Sequence, residues 1–317
     1  MGEFCPNFSA AQLVQGKETL YNDALYCEQI DLEARQPDVL LSKYHGLGND
    51  YIVIDPTSLP GELTAQDVRR ICDRHYGAGA DGILLGPLPA TDAAFALRIF
   101  NPDGSEAEKS GNGLRIFACS LWDRGLVGEQ PFTIATAGGI VTAQVEPGGR
   151  LVTVEMGRVS FDSREIPVAG PPREVLNETV WTGRTELRYC AATLGNPHCV
   201  VLRKRASAAE AQRLGPLVET EARFPRRTNV QFMQVINRSQ VRIEIWERGA
   251  GYTLASGSSA CAAAAVAHRL GLCNPQVTVA MPGGELAVAI APDWSVALRG
   301  PVVRVWTGTL FQEAFDA

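Results

Sequence analysis

Two serines stand at equivalent points of two similar segments. Ser110 begins "SGNGLRIFACSLWDRG" and Ser256 begins "SGSSACAAAAVAHRLG", and the two stretches align without a gap at an offset of 146 residues. A serine ahead of a helical pattern occupies the N-cap position, beside first-turn N–H groups that lack partners and attract a carboxylate. Two such helix starts could hold one substrate carboxylate between them. Its α-carbon would then have a hydroxyl on each face, as removal and return of a proton on opposite faces requires.

The similarity between the two halves extends well beyond these segments. Further matched segments, first half with second half, are 46–50 with 193–197, 96–109 with 242–255, and 133–147 with 278–292. The first of these pairs matches "GLGND" with "TLGNP" and aligns Asn49 with Asn196. The offset drifts only from 147 to 145 residues along the chain. Matches that keep their order and spacing in this way indicate a domain duplicated in full.

Each half is predicted to combine several strands with one long helix. Alternating segments such as "FALRIF" and "LVTVEMG" predict strands, and Gly138–Gly139 suits a turn between two of them. The helical pattern from Gly111 ends before Gly125, where glycine favours the left-handed C-terminal position, and Gly271 repeats that role. The second helix is nearly all small and apolar, which predicts burial on most sides. We therefore expect an α+β fold of two pseudo-symmetric domains, each a barrel-like shell of strands around a central helix.

The extent of the repeat sets the expected domain limits. The N-terminal domain is predicted over 41–155 plus 302–317, because "VVRVWTGTLF" lies beyond the second repeat and is expected to return to the first domain as a strand. The C-terminal domain is predicted over 156–301. Residues 1–40 precede the repeat and form an N-terminal extension with a helical pattern, to which no function is assigned.

Composition excludes several classes of function. The net charge is −6 and no Lys/Arg-rich stripe occurs, which argues against nucleic-acid binding. No apolar run is long enough to predict a membrane span, and the first residues lack the pattern of a secretory signal. The eight cysteines show neither C-x-x-C spacing nor a disulfide-like framework. Reduced thiols, mostly buried, and a cytoplasmic location are therefore expected.

Polar side chains at equivalent strand ends favour a pocket over a purely structural duplication. A single N-cap serine is ordinarily structural. Here Asn101 and Glu247 occupy equivalent positions ahead of the two helices, and the aligned pair Asn49 and Asn196 is joined by Asn229 in "RRTNVQF". Amides and charged groups of this kind beside helix starts are typical of a binding pocket.

Several motifs resemble the diaminopimelate epimerases. They include "KYHGLGNDYIVID", "FNPDGSEAEKSGNGLR", "LGNPHCV" and "WERGAGYTLASGSSACAAA", and the resemblance covers about 43–311 in the family's motif order. It implies an isomerase that uses neither pyridoxal phosphate nor a metal and inverts the α-carbon of an amino acid such as LL-diaminopimelate. In that family one cysteine thiolate removes the proton and one cysteine thiol returns it, for lysine and peptidoglycan synthesis. The resemblance further implies a homodimer and a small amino acid or related carboxylic acid as ligand.

The motifs also carry over a set of binding positions. The resemblance implies that the distal amino and carboxylate groups meet Asn101, Asn196, Asn229, Glu247 and Arg248. It implies that the N–H groups facing the reacting carboxylate belong to Gly111, Asn112, Gly257 and Ser258, with Asn49 in the same pocket. A guanidinium such as that of Arg248 can pair with a carboxylate through two hydrogen bonds. His198 is expected to support its loop rather than act as a base.

The chain departs from the family at the two reacting positions. Both of the family's catalytic cysteines are serines here, Ser110 and Ser256. A cysteine thiol titrates near pKa ~8.5 and a serine hydroxyl is several units less acidic, each unit being worth ~1.4 kcal/mol. Tyr252 also stands where the family motif has a glutamate, so neighbouring residues differ as well. Changes in several places favour natural divergence over a simple inactivating substitution.

Three functions are compatible with this pattern. The first is an epimerase or racemase that works with serines, which the retained binding positions favour. The second is an isomerase that shifts a double bond in an unsaturated acid, whose more acidic proton asks less of a weak base. The third is a binding homologue that keeps the pocket without the chemistry.

Overall fold

The computed structural model describes residues 39–183, 185–311 and 313–316 of the 317-residue chain. The extension predicted over 1–40 therefore lies outside the described residues except for Val39 and Leu40, which begin the first strand. None of the helices in the described part of the chain has both the length and the apolar composition that crossing a bilayer requires.

Strands outnumber helices in the described part of the chain. In chain order they are β1 Val39–Gly46, β2 Asn49–Ile54, β3 Ile83–Leu88, β4 Phe95–Phe100, β5 Glu106–Ala107, β6 Phe132–Thr136, β7 Gly139–Val145, β8 Leu151–Arg158, β9 Glu178–Thr182, β10 Thr185–Thr193, β11 Pro197–Arg203, β12 Asn229–Asn237, β13 Gln240–Glu247, β14 Gly251–Thr253, β15 Gln276–Met281, β16 Gly284–Ile290, β17 Ser295–Pro301 and β18 Val303–Leu310. The helices are α1 Ala65–Cys72, α2 Gly111–Asp123, α3 Ala208–Glu219, α4 Gly257–Arg269 and α5 Glu313–Asp316.

The strand pairings repeat from one half to the other. In the first half β1 to β4 pair in chain order, β4 also pairs with β6, and β6, β7 and β8 follow. In the second half β10 to β13 pair in chain order, β13 also pairs with β15, and β15, β16 and β17 follow. The parallel pairs occupy equivalent places, β2–β3 with β11–β12 and β4–β6 with β13–β15. The predicted pseudo-symmetric α+β fold is confirmed, whereas the limits assigned to the two domains stay a prediction.

The two halves join through their equivalent last strands. β8 and β17 pair antiparallel, with Leu298 opposite Val154 and Arg299 opposite Thr153. β18 then leaves the second half and pairs with β1, at the position that β9 occupies beside β10.

Each half wraps its strands around one helix. α2 packs against β1, β2, β3, β7 and β8, and α4 packs against β10 to β13 and β15 to β17. α4 is fully buried from Ser259 to Ala267, because small side chains let the surrounding strands approach on every side. Both helices end as the glycine pattern predicts: Gly125 and Gly271 have φ of 69° and 71°, and the N–H groups of Leu126 and Leu272 bond back to Leu121 and Ala267.

Candidate active site

The starts of α2 and α4 meet backbone to backbone at Gly111 and Gly257. A Cβ atom added to Gly257 would lie 3.1 Å from Cα of Gly111 and 2.8 Å from Cδ2 of Leu298. A Cβ atom added to Gly111 would lie 3.3 Å from Cα of Gly257 and 3.1 Å from Cε of Met156. Only glycine fits at either position without displacing its neighbours. The first-turn N–H groups of the two helices therefore lie within one small region.

Ser110 caps α2 and contacts a tyrosine. Its Oγ accepts a hydrogen bond from the backbone N–H of Gly113 at 3.0 Å, the expected capping contact. The same Oγ lies 3.2 Å from the phenolic oxygen of Tyr51, which β2 carries beside the helix start. The Ser110 hydroxyl is thus held between a backbone donor and a phenol.

Ser256 occupies the N-cap of α4 by backbone conformation, but its side chain does not cap the helix. The hydroxyl lies instead beside the carboxyl group of Glu247, at the end of β13. Burial raises the pKa of Glu247; hydrogen bonding to Ser256 opposes the rise, and the negative charge of Asp81 adds to it. The expectation of two equivalent serine caps is therefore correct for Ser110 alone, since the Ser256 side chain makes no capping hydrogen bond.

A strand-end amide ties each half to the second residue of its helix. Nδ2 of Asn112 donates to Oδ1 of Asn49 at 3.0 Å, and Nδ2 of Asn196 lies 3.4 Å from Oγ of Ser258. The two contacts join equivalent pairs of positions. Asn49, Asn112, Asn196 and Ser258 thus lie around the two helix starts, where the sequence placed them.

Charged groups fix the orientation of Asn49. Its Nδ2 donates to Asp81 at 2.9 Å, and the guanidinium of Arg74 bridges Asp81 and Asp50 at 2.7 and 2.8 Å. Lys43 adds a second cation, 2.8 Å from Asp50. Burial alone would raise the pKa of Asp50, but hydrogen bonds from Arg74 and Lys43 outweigh it and hold the pKa well below its ordinary value. The Asn49 oxygen is left facing the helix start.

On the other half, a neutral histidine orients Asn196. Nε2 of His198 lies 3.0 Å from Oδ1 of Asn196, and Nδ1 lies 3.1 Å from Nε2 of Gln231, which also donates to Ser259 at 2.9 Å. An amide N–H can only donate, so Nδ1 accepts and Nε2 carries the proton. Burial lowers the pKa of His198 to about 3, and the positive charge of Arg248 adds to the shift. These contacts agree with the expected supporting role and leave His198 without a free acceptor nitrogen.

The buried neutral histidine predicts a specific pH dependence of stability. An unfolded histidine titrates near pH ~6.5, whereas His198 in the folded chain stays neutral down to about pH 3. The unfolded state therefore binds more protons in this window, and the free energy of unfolding falls with falling pH by up to about 1.4 kcal/mol per unit. Urea unfolding of the His198→Gln variant between pH ~4 and ~6.5 should lack this contribution.

The exposed His75 provides the matched control. His75→Gln should keep the wild-type slope, because it removes a histidine and leaves the buried His198 unchanged. Equal slopes for wild type and His198→Gln would contradict a buried neutral His198. Glu247 and Asp50 titrate in all three proteins, so their contributions cancel in the comparison.

The residues expected at the distal end are less closely grouped. The Asn229 amide bonds to backbone at both ends. Its Nδ2 donates to the Pro197 carbonyl and its Oδ1 accepts from the Arg248 N–H, both at 3.0 Å. The Arg248 side chain is exposed and donates to the Arg226 carbonyl at 3.1 Å. Asn101 donates to Ser105 within the loop after β4. Asn229 thus joins the backbone at Pro197 to the backbone at Arg248, whereas Asn101 bonds within its own loop.

Tyr252 does not direct its hydroxyl group at the serines. The hydroxyl donates to Glu244 at 2.6 Å, and the ring packs against the apolar cluster that includes Leu214 and Val218 of α3. Its substitution for the family's glutamate therefore bears on the surroundings of β13 rather than on the α-carbon position.

Three polar residues near the helix starts were not predicted as site residues, and each carries a sequence signal. Tyr51 is two positions after Asn49 and so lies on the same face of β2, and Gln231 follows Asn229 on β12 in the same way. Arg115 is the one arginine among the buried residues of α2. The two-residue alternation along a strand indicates Tyr51 and Gln231, and a single arginine in a buried helical segment indicates Arg115. Family motifs do not include either signal.

Arg115 places a positive charge directly behind the helix starts. Its side chain is fully buried and donates to the Gly111 carbonyl at 3.0 Å and to Oδ1 of Asn112 at 2.8 Å. No carboxylate of the described residues pairs with it, and its Nε has no hydrogen-bond partner among them. Burial lowers the pKa of Arg115 to about 10, so the group remains charged at neutral pH. Its charge favours a bound anion at the adjacent helix start.

Other candidate chemistries are less well supported. Burial raises the pKa of Cys72 and Cys261 to about 12 and that of Cys119 to about 11, so these thiols are poorly suited to replace the serines. Across 39–183, 185–311 and 313–316, no group of three or more His, Cys, Asp or Glu side chains is arranged to hold a metal ion.

The family model and the sequence relatives agree on one family. The chain matches the family model for diaminopimelate epimerase over residues 41–161 and 190–305. It is 56% identical over 273 residues to diaminopimelate epimerase 2 of Nostoc sp., covering 86% of this chain and 96% of that protein. It is 42% identical over 277 residues to a diaminopimelate epimerase of Pelotomaculum thermopropionicum, covering 84% and 97%.

A solved structure supports the same fold. The chain is similar to a hydroxyproline epimerase from Agrobacterium vitis, whose structure contains trans-4-hydroxy-L-proline, with a TM-score of 0.65 and 19% identity. The similarity covers 89% of this chain and 93% of that one. At this level of identity the likeness concerns the fold.

Proposed function

Because the chain belongs to the diaminopimelate epimerase family, we propose that it inverts the α-carbon of an amino acid of the LL-diaminopimelate type without a cofactor. Ser110 and Ser256 are the groups we assign to the two faces of that carbon. The observation that supports the proposal is the backbone contact between Gly111 and Gly257, which joins the starts of two helices that each follow a serine.

The substrate carboxylate is assigned to the paired helix starts. The first-turn N–H groups of Gly111, Asn112, Gly257 and Ser258 have no partner within their helices. Two helix dipoles and the buried guanidinium of Arg115 make this region favourable for an anion. A carboxylate bound here would also help to hold the α-carbon between the two hydroxyl groups.

The proton transfers then follow from the two serines. One serine, as alkoxide, takes the α-proton, and the electron pair of the C–H bond stays on carbon. The hydroxyl of the other serine gives its proton to the opposite face and becomes the alkoxide. At Ser110 the Gly113 N–H and the helix dipole lower the energy of that alkoxide. The two serines end with exchanged protonation states, so the reverse reaction or proton exchange with water restores them.

The distal end of the substrate is assigned to Arg248 and Glu247. The backbone N–H of Arg248 donates to Asn229, which holds this segment in place. The Arg248 side chain is exposed, so its guanidinium can pair with a second carboxylate. Glu247 precedes Arg248 in the chain and is assigned to accept a hydrogen bond from a substrate ammonium group. Recognition of both ends would favour a diamino diacid over an ordinary amino acid.

Proton NMR in D₂O tests the proposal. LL-diaminopimelate is incubated with the protein and the α-proton signal is followed, with L-lysine as the control that lacks the distal carboxylate. We expect the diaminopimelate signal to disappear, meso isomer to form, and lysine to exchange at least ~10²-fold more slowly. A persistent signal at high protein concentration would refute epimerisation and direct the search to unsaturated acids or to binding alone.

A further inference from the structure

The two serines have different polar partners, although their positions are equivalent. Tyr51 aligns with His198 in the repeat, yet Tyr51 contacts Ser110 whereas His198 contacts Asn196 and Gln231. Ser256 has the carboxyl group of Glu247 as its neighbour instead. One face of the pocket thus offers a phenol to its serine, and the other offers a carboxyl group.

Tyr51 is placed to act on Ser110 and is held rigidly. Its side chain is 7% exposed, it pairs with Tyr44 of β1, and its hydroxyl lies 3.2 Å from Oγ of Ser110. Burial raises the pKa of Tyr51 to about 12; the hydrogen bond with Ser110 opposes the rise and the charges of Glu247 and Asp81 add to it, so the phenol keeps its proton at neutral pH. A protonated phenol can donate to Oγ whether Ser110 is a hydroxyl or an alkoxide.

We propose that Tyr51 is a positioning residue for Ser110, donating its phenolic hydrogen to Oγ and stabilising the negative charge that Oγ carries in turnover. When Ser110 gives its proton to the α-carbon, the electron pair of the broken O–H bond stays on Oγ. The Gly113 N–H and the Tyr51 O–H then both donate to that oxygen, and no proton leaves Tyr51. The inference rests on the proposed function, because it assigns Tyr51 to the serine that reacts.

Tyr51→Phe removes the hydroxyl and keeps the ring. We expect kcat for inversion of LL-diaminopimelate to fall by about 10- to 100-fold with KM changed by less than about twofold, since the hydrogen bond strengthens only as charge develops. Tyr44→Phe is the matched control: Tyr44 is also buried, but its hydroxyl donates to Asp123, at the far end of α2 from Ser110, at 3.0 Å. Its kcat should stay within about twofold. An unchanged kcat for Tyr51→Phe, or a change in KM alone, would overturn the inference.

A second measurement reports the same hydrogen bond without turnover. In a Ser110→Cys variant, the pH dependence of iodoacetamide labelling, localised by mass spectrometry, gives the pKa of the introduced thiol. Adding Tyr51→Phe should raise that pKa by about one unit, because the thiolate loses a donor, whereas adding Tyr44→Phe should not. Glu247 and Asp81 are unchanged in all these variants. If wild type fails to exchange the α-proton, the proposed function fails, and the thiol pKa still decides whether Tyr51 donates to position 110.

Discussion

Alanine at either Ser110 or Ser256 is expected to abolish inversion of LL-diaminopimelate, with a loss of at least ~10³-fold. Each variant keeps a hydroxyl on one face only, so it can remove and return a proton on that face without inverting the carbon. Residual exchange of the α-proton in D₂O should therefore survive for one α-configuration in Ser110→Ala and for the opposite configuration in Ser256→Ala. Proton NMR on separate stereoisomers measures inversion and exchange together.

Loss of binding would give a similar loss of inversion, so calorimetric titration with LL-diaminopimelate is the control. The affinity should change by only a few-fold, because the carboxylate is assigned to backbone N–H groups. Inversion that persists in either alanine variant would remove that serine from the mechanism. Residual exchange of the same configuration in both variants would contradict their placement on opposite faces.

Replacing both serines with cysteine is expected to increase the rate of inversion, whereas alanine abolishes it. The thiols of a Ser110→Cys, Ser256→Cys double variant titrate several units below serine hydroxyls, near ~8.5. Inversion of LL-diaminopimelate at pH ~8 should rise by about 10²-fold. A double variant no faster than wild type would indicate that the serine pair is matched to a more acidic substrate than a saturated amino acid.

Gly257→Ala is expected to lower the free energy of unfolding by about 2–3 kcal/mol and to remove most of the activity. The added methyl group would lie 3.1 Å from Cα of Gly111 and 2.8 Å from Cδ2 of Leu298. A side chain can move aside, but the Gly111 backbone cannot move without separating the two helix starts. Urea unfolding and the α-proton exchange rate measure the two effects.

Gly128→Ala is the matched control. Gly128 is exposed and its added Cβ meets no atom within 4 Å, so stability and exchange should stay close to wild type. Alanine is favoured over glycine in helices by up to about 1 kcal/mol. A loss of stability in Gly257→Ala would therefore be a steric effect and not an effect of helix propensity. If Gly257→Ala is as stable as wild type, the two helix starts are not in backbone contact.

The fold could be predicted because its signals are local and occur twice. Gly125 and Gly271 end the central helices in the left-handed conformation, which other side chains adopt at a cost, so the pattern is readable in the sequence. The internal repeat then supplies the long-range information that single helices and strands lack. Equivalent segments must fold alike, and the equivalent parallel pairs β2–β3 and β11–β12 follow.

The side-chain contacts of the site could be predicted only in part. Ser256 has nearly the same backbone conformation as Ser110, but only Ser110 caps its helix with its side chain, and no local pattern encodes this difference. Both ends of the Asn229 amide bond to backbone, which the sequence did not indicate, while its contact with substrate stays a prediction. An amide at a strand end can bind either a ligand or the backbone, and which of the two it binds depends on segments that are distant in the sequence. Helix starts are fixed by local sequence, whereas hydrogen-bond partners are fixed by packing.

The register between β8 and β17 gives the halves an isologous interface. Leu298 opposes Val154 and Arg299 opposes Thr153, the reciprocal pattern that a twofold axis produces, and Gly111 meets Gly257 across the same junction. Two separate copies of a half-length chain could therefore assemble the same paired helix starts. Because identical subunits share one sequence, they would present the same residue to both serines. A single chain has no such constraint, and here Tyr51 faces Ser110 while its counterpart His198 contacts Asn196.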